Sequence, residues 1–225
     1  MTAAVAVVVV FAAPASAATL ANWQMNEGPS ATVMVDKAGH VNGSIGSAIQ
    51  TDFKFDGATA YHWVFTSPTA PPAKPERIAQ ANSSTLNPNS GAYAVKLRYR
   101  TTKHFGNIVQ KGQAGSSGGY FKIENPNGRL TCVFRGTNSS GNFQRKQVVS
   151  PGVLSDGKWH VARCARTSTG LTLQIDGSVV ATAKGSTGNI SNTRPISIGG
   201  KLNCDQVTTT CDYFTGDIDY VKITN

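Results

Sequence analysis

The stretch Ser155–Val180, SDGKWHVARCARTSTGLTLQIDGSVV, decides the fold. It opens with the turn signal Ser155-Asp156-Gly157 and continues as a β-like segment from Lys158 to Arg166. After a second turn at Thr169-Gly170, apolar and polar residues alternate up to the Asp-Gly turn at residues 176–177. Alternation with a period of two, interrupted by glycine-containing turns, is typical of consecutive antiparallel strands. The stretch therefore predicts a β-meander.

Alternation and glycine turns recur along the whole chain, which has 225 residues and 23 glycines. The clearest half-buried strand is Ala92–Arg100, in which Val95, Leu97 and Tyr99 alternate with three basic residues. Few segments show helical periodicity, so the sequence predicts an all-β sandwich or barrel. No Gly/Ser-rich or Pro-rich linker divides residues 18–225, and we therefore expect a single domain.

One irregular segment, Thr66–Ala81, interrupts this pattern with four closely spaced prolines. Proline cannot donate a hydrogen bond to a sheet, so the segment is predicted to be a surface loop. Such a loop is either a binding lip or an inert insertion, and the sequence leaves both open.

The first 17 residues have the features of a signal peptide. Val5–Ala13 is a short apolar run, and Ala15-Ser16-Ala17 resembles a cleavage site. We therefore expect residues 1–17 to be removed and the mature protein to be secreted and extracellular. No stretch reaches the roughly 18 uninterrupted apolar residues of a membrane-spanning helix, so no membrane span is predicted.

Three motifs stand out along the chain: the opening Leu20–Glu27, the pattern Asp-Gly-x-Trp-His at residues 156–160, and the closing run Phe214–Ile223. Together they resemble laminin G-like modules of secreted bacterial proteins, in the concanavalin A-like lectin/glucanase superfamily. The resemblance implies a concanavalin A-like jelly-roll β-sandwich of two antiparallel sheets. Because this fold carries lectins, hydrolases, lyases and adhesion modules, it does not by itself establish a function.

Four cysteines in an exported chain predict two disulfides, for which three connectivities are possible. The most economical pairing joins Cys132 to Cys164, which lie in two strand-like runs, and Cys204 to Cys211, which bracket a short loop. A zinc site is not favoured, because there is no C-x-x-C motif and no histidine at ligand spacing from a cysteine.

The formal net charge is +9, and the signal segment carries no charged side chain. A basic exported domain suits an anionic partner, because its summed positive potential attracts polyanions. We therefore expect an acidic polysaccharide or a cell-wall polymer as the partner. Nucleic acid is not expected, because the chain has an export signal and lacks the known nucleic-acid-binding motifs.

Three basic side chains are predicted to lie on one face of the strand Ala92–Arg100, namely those of Lys96, Arg98 and Arg100. Like charges about 7 Å apart along a strand repel each other, so an anionic ligand or neighbouring acidic side chains should compensate them. The alternative is a solvated outer face. A carbohydrate-recognition or adhesion module that binds glycan on this basic face is the first functional hypothesis.

If Cys132 bonds Cys164 across neighbouring strands, a period of two brings Arg135 and Arg163 onto the same face. Trp159 then falls on the Arg163 side, although it resembles a core tryptophan of the family, and a β-bulge near His160 would resolve the conflict. The predicted ligand-binding residues are Lys96, Arg98, Arg100, Arg135 and Arg163, with Tyr120 as a possible stacking residue.

Two further functional hypotheses remain open. Gly119–Lys122 resembles the Y-F-K motif of jelly-roll alginate lyases, although the R-x-E-L-R and Q-[IV]-H strands of those enzymes are absent. A polysaccharide lyase acting on uronates would use Tyr120 as acid and base and Arg98 to neutralise the carboxylate. The paired-carboxylate strand of jelly-roll glucanases does not occur. The third hypothesis is a structural accessory domain that contacts another exported protein.

A structural calcium ion is a further expectation that the resemblance implies. In the closing run, simple alternation places Asp219 on the same face as Val221 and Ile223, where a carboxylate needs a compensating partner. The resemblance offers Ca²⁺ held by Asp219 and by oxygens of the segment Asp36–Asn42, including Asp36 itself. The alternative is a salt bridge or hydrogen bonds to the backbone.

Overall fold

The computed structural model of the chain describes residues 17–64, 73–204 and 211–225. These residues form sixteen β-strands and three short 3-10 turns, and none of them lies in an α-helix. In chain order the strands are β1 (Thr19–Trp23), β2 (Val33–Met34), β3 (Gly43–Ile45), β4 (Ile49–Phe55), β5 (Ala58–Trp63), β6 (Ala79–Ala81), β7 (Tyr93–Arg100), β8 (Asn107–Lys111), β9 (Tyr120–Glu124), β10 (Thr131–Thr137), β11 (Phe143–Val149), β12 (His160–Arg166), β13 (Gly170–Ile175), β14 (Ser178–Lys184), β15 (Ile196–Ile198) and β16 (Gly216–Thr224).

The strands form two eight-stranded antiparallel sheets that pack face to face. Sheet A has the order β14-β13-β12-β7-β16-β5-β4, and β1 pairs with β16 beside this path. Sheet B has the order β11-β10-β9-β8-β15-β6-β3-β2. The predicted all-β sandwich of two antiparallel sheets is therefore confirmed, and the opening β-meander is β12-β13-β14 at one end of sheet A.

The core lies between the sheets and follows the alternation that the sequence displays. Val95, Leu97 and Tyr99 of β7 are fully buried, whereas the intervening Lys96 is exposed. Trp23 and Trp63 are buried in the same core. Burial of apolar surface is the main favourable contribution to folding, so the period-two pattern fixes which face of each strand points inward.

Tight Asp-Gly turns connect two pairs of neighbouring strands in sheet A. Asp56 and Gly57 have φ angles of 49° and 74°, and Asp176 and Gly177 have φ angles of 50° and 86°. Two-residue hairpins of type I′ require positive φ at both central positions, and Asp-Gly tolerates this geometry. The turn signals of the sequence therefore set the register of these hairpins.

Both disulfides have the predicted connectivity. Cys132 of β10 bonds Cys164 of β12, with their Cα atoms 6.1 Å apart, and so links sheet B to sheet A through the core. Cys204 bonds Cys211, and this pair packs with Ile78 and Tyr213 in a small apolar cluster beside the main core.

One irregular segment differs from its prediction. Of the expected surface loop Thr66–Ala81, residues 66–72 lie outside the described part of the chain, but Ala79–Ala81 forms β6 inside sheet B. Ala79 and Ala81 are buried, so the end of this segment belongs to the sheet.

The predicted signal peptide lies outside the described residues except for Ala17. Within the described ranges, no helix is long and apolar enough to span a membrane.

Candidate functional site

The candidate site is the outer face of sheet A around the central strand β7, here called the basic face. β7 lies between β16 and β12, and Lys96 is directly opposite Lys222 on one side and Arg163 on the other. The backbones of neighbouring strands are about 4.8 Å apart, so these three side chains form one row across three strands. We call Lys222, Lys96 and Arg163 the cationic row.

No carboxylate in the described part of the chain pairs with any member of the cationic row. Lys96 is exposed, and Lys222 and Arg163 are half-buried. Like charges directly opposite each other on neighbouring strands destabilise a sheet, and Lys96 has one such neighbour on each side. We therefore expect the arrangement to lower the stability of the protein, and an opposite charge placed there would relieve the repulsion.

Polar and small side chains surround the cationic row. Asn22 of β1 is opposite Lys222, and Gln174 of β13 is opposite Arg163, so amide groups extend the row at both ends. On one side of the row, Arg163 and Gln174 border a shallow depression that is also lined by small residues of the same face, among them Ala94, Ala165, Thr172 and Thr224. Small side chains there leave room for a ring that carries an anionic group.

Arg98 and Arg100 also lie on the basic face, but neighbouring carboxylates neutralise them. Arg98 Nη1 donates to Asp219 Oδ2 at 2.8 Å. Arg100 Nε donates to Asp217 Oδ2 at 2.7 Å, and Asp217 is fully buried. His62 Nδ1 lies 2.6 Å from the other oxygen of Asp217. The sequence analysis expected either an anionic ligand or neighbouring acidic side chains to compensate the cations of β7. For Arg98 and Arg100, acidic side chains do so.

Trp159 belongs to the basic face and not to the core. The β12–β7 register is regular from His160 onward, so the bulge expected near His160 is absent. The Trp159 ring is half-buried, and the guanidinium of Arg98 lies 4.7 Å from its centroid. The guanidinium of Arg100 lies 3.5 Å from the ring centroid of Phe55, which is 39% exposed. Two aromatic rings and two arginines therefore flank the cationic row at the end of the sheet that carries the Asp-Gly turns.

The prediction that Arg135 and Tyr120 share the basic face is wrong. The Cys132–Cys164 disulfide joins the two sheets and not neighbouring strands of one sheet. Arg135 therefore faces away from Arg163, on the opposite side of the sandwich. It donates from Nη1 to the carbonyl of Ala114 at 3.2 Å and lies beside Tyr120 of β9.

The lyase arrangement fails for the same reason. Tyr120 is only 7% exposed and lies in sheet B, whereas Arg98 lies in sheet A. A general acid and a carboxylate-binding arginine must contact the same sugar, which residues on opposite sheets cannot do. This pair therefore does not form a catalytic site.

The residues proposed for calcium do not fit the ion. Asp36 accepts four backbone N–H bonds, from Asn22 and Ala38 on Oδ1 and from His40 and Val41 on Oδ2. Burial opposes ionisation, but these donors outweigh it and hold the pKa of Asp36 below its ordinary value. Donors that point at all the oxygen lone pairs leave none for a cation, which needs oxygen ligands.

Asp219, the second proposed calcium ligand, is on the outer surface. The β16–β7 register shifts between Ile218 and Tyr220, so Asp219 is the extra residue of a β-bulge. The bulge turns Ile218 into the core and Asp219 toward Arg98. The prediction that Asp219 lies on the same face as Val221 and Ile223 is therefore wrong. The described residues contain no cluster of three His, Cys, Asp or Glu able to hold a metal.

Sequence reasoning missed Lys222, Asn22 and Gln174 as members of the site. Lys222 alternates with Val221 and Ile223, and that pattern alone marks it as outward-facing. Its position beside Lys96 depends on the pairing of β16 with β7, which joins residues far apart in the chain. The order of the strands in sheet A therefore brings Lys222, Lys96 and Arg163 together.

The two-sheet fold and its closing strands match a known family. The family model for laminin G-like domains of the concanavalin A-like lectin/glucanases superfamily matches residues 76–225. The chain belongs to this superfamily. The predicted jelly-roll fold is thereby confirmed. No curated protein sequence is significantly similar to the chain.

Solved structures with the superfamily fold include the binding domain of botulinum neurotoxin DC in complex with SialylT, which is 12% identical with a TM-score of 0.62. That match covers 92% of this chain and 47% of the neurotoxin chain. A botulinum neurotoxin type C structure is 13% identical, with the same TM-score and the same coverage.

Mouse laminin alpha1 domains LG4-5 are 20% identical with a TM-score of 0.49, over 71% of this chain and 44% of theirs. The chain thus spans less than half the length of these matched chains, and the likenesses concern the fold alone.

Proposed function

We propose that the chain is a glycan-binding module that holds an acidic polysaccharide on the basic face of sheet A. The observation that carries this proposal is the cationic row, in which Lys222, Lys96 and Arg163 lie side by side without a carboxylate partner in the described part of the chain. An anionic polymer lying across the strands relieves their repulsion through charge-assisted hydrogen bonds. The amides of Asn22 and Gln174 bind hydroxyl groups at either end.

Solved structures with the same fold support a binding module. The uptake of botulinum neurotoxin type C into cells depends on interaction with two ganglioside molecules, and the binding domain of neurotoxin DC is seen in complex with SialylT. These ligands belong to the neurotoxins, whose chains are matched over only 47% of their length, and fold analogy gives no ligand for this chain. The proposal that the glycan is acidic depends on the cationic row.

We place the module outside the cell. The two disulfides of the chain suit an oxidising compartment, and the apolar N-terminal run of the sequence supports export. Acidic polysaccharides of cell surfaces and cell walls are accessible to a domain in that compartment.

A retention experiment tests the function. The protein is applied to immobilised polygalacturonate, alginate, heparin and a neutral glucan, and the salt concentration needed for elution is measured. We expect retention by the acidic polymers that weakens with salt, because exposed charge interactions are screened. Absorbance of unsaturated uronate products should stay flat, because Tyr120 and Arg98 lie on opposite sheets.

Charge reversal locates the binding surface. Lys96→Glu and Arg163→Glu should each weaken retention by acidic polymers roughly tenfold, which corresponds to about 1.4 kcal/mol. Arg145→Glu is the matched control, because Arg145 is an exposed strand residue of sheet B and the change in net charge is the same. Equal losses in all three variants would mean that net charge, and not the cationic row, governs retention.

A further inference from the structure

A second pocket lies at one end of the sandwich, away from the cationic row. It is formed by the β10–β11 hairpin, by the segment that follows β14, and by the segment that precedes β7. Its volume of ≈ 770 Å³ falls within the roughly 300–1,000 Å³ typical of small-ligand sites. We call it the neutral pocket, because every lining side chain is an uncharged hydroxyl or amide, apart from one glycine.

The lining side chains have free hydrogen-bonding capacity. Ser90, Ser139, Gln144 and Asn189 line the pocket, and their side chains have no hydrogen-bond partner among the residues that the structure describes. Hydroxyl and amide groups each supply donors and acceptors. In a protein with a net charge of +9, a pocket without a charged lining residue suits a neutral ligand with many hydroxyls better than an anion.

Backbone hydrogen bonds fix the walls of the neutral pocket. Thr137 N donates to the carbonyl of Asn189 at 3.0 Å, and Asn189 N donates to the carbonyl of Thr137 at 2.8 Å. Asn89 and Ile190 exchange a second pair of bonds, at 2.9 and 2.8 Å. Paired bonds, as in a sheet, thus hold the hairpin to one segment and the two segments to each other, although both segments lie outside the regular strands.

Arg166 holds the same walls from beneath. Arg166 is 2% exposed, and its guanidinium donates to the carbonyls of Pro88, Asn89 and Gly91 on one wall and of Gly188 on the other. No described carboxylate pairs with it, and burial lowers the pKa of Arg166 to about 10. Burying a charge is costly, so the contacts that compensate it fix the two segments in one arrangement.

From these observations we infer that the neutral pocket is a second glycan site, which takes an uncharged pyranose. Its preformed walls reduce the entropy lost on binding, and its amides and hydroxyls match the hydroxyls of a hexose. The site is independent of the cationic row, because its lining carries no charge. Binding there should therefore persist at high salt, where contacts to the basic face are screened.

A titration followed by amide NMR at high salt tests this site. The protein is titrated with neutral oligosaccharides that contain glucose, galactose, mannose or N-acetylhexosamine units. We expect at least one of them to shift amide signals of the segments around Ser90, Gln144 and Asn189. Asn189→Ala and Gln144→Ala should weaken that binding by roughly fivefold or more, since each removes about 1 kcal/mol of hydrogen bonding.

Lys96→Glu serves as the control and should bind the same oligosaccharide as tightly as the parent protein. The backbone bonds of Asn189 survive truncation of its side chain, so Asn189→Ala should fold, which the dispersion of its amide spectrum verifies. Absence of shifts with every oligosaccharide would overturn the inference. Shifts confined to the basic face, or unchanged affinity in both pocket variants, would also overturn it. None of these outcomes depends on retention by acidic polymers.

Discussion

At the scale of single residues, the four cations of β7 and β12 on the basic face have different partners. Arg98 and Arg100 are paired with Asp219 and Asp217, whereas Lys96 and Arg163 have no carboxylate partner in the described ranges. The paired arginines orient Trp159 and Phe55 against their guanidinium planes. The charges of the two residues without a carboxylate partner are not neutralised, so under the proposed function we expect these residues to contact the anionic ligand.

Lys96 is expected to reduce the stability of the free protein. Lys96→Gln should raise the free energy of unfolding by about 0.2–1 kcal/mol at low salt, because it removes a cation opposite two others. The measurement is urea unfolding at low and at high salt, where screening should abolish the gain. Lys184→Gln is the matched control, since Lys184 is an exposed strand lysine opposite Gly170. A loss of stability in Lys96→Gln would contradict a repulsive row.

At the scale of structural elements, the loop that follows β2 is organised by a carboxylate. Asp36 accepts N–H bonds from residues 38, 40 and 41 of its own loop and from Asn22 of β1. A carboxylate in this position satisfies backbone donors that the turn would otherwise leave without a partner. The carboxylate of Asp36 therefore supplies the hydrogen bonds that close the loop.

Two measurements on this loop follow. Asp36→Ala should lower the free energy of unfolding by about 2–3 kcal/mol, because hydrogen bonds to an ionised group are the stronger ones. Removing divalent cations with EDTA should leave the melting temperature of the parent protein unchanged. The lowered pKa of Asp36 means that its contribution is present at neutral pH and is lost as the pH falls through that pKa. A rise in melting temperature with added Ca²⁺ would contradict the metal-free loop.

At the scale of the whole molecule, one disulfide joins the two sheets and the other closes a short peripheral loop. Cys132 and Cys164 are 32 residues apart in sequence, and Cys204 and Cys211 are 7 apart. A cross-link stabilises mainly by restricting the unfolded chain, and this effect grows with the length of the closed loop. The inter-sheet disulfide should therefore stabilise the fold more.

Guanidinium unfolding of two double variants measures this difference. Replacing Cys132 and Cys164 by alanine should cost about 3–4 kcal/mol, and replacing Cys204 and Cys211 should cost about 2–3 kcal/mol. Both variants should keep the far-ultraviolet spectrum of a β-sandwich if they fold. A larger loss from the peripheral pair would show that its apolar cluster with Ile78 and Tyr213 matters more than the closure of the long loop.

Local patterns of the sequence determined the strands, the buried faces and the turns. Period-two alternation in β7 and the Asp-Gly turns at residues 56–57 and 176–177 depend only on neighbours in the chain, so they could be read directly. Of three possible connectivities, the most economical pairing of the cysteines was the correct one. β6 was missed, because a strand of three residues is too short to show a period and lies next to prolines.

Only the tertiary structure decided which side chains meet. The sequence placed Lys96 and Arg163 outward, but it also placed Arg135 beside them, because it could not tell a disulfide between sheets from one within a sheet. Lys222 joined the row through the pairing of β16 with β7, and the bulge at Asp219 determined which face that strand presents. The neutral pocket likewise brings Ser90, Gln144 and Asn189 together from three separate segments. The physical reason is that strand order and register depend on long-range pairing, whereas the pattern within a strand depends on near neighbours alone.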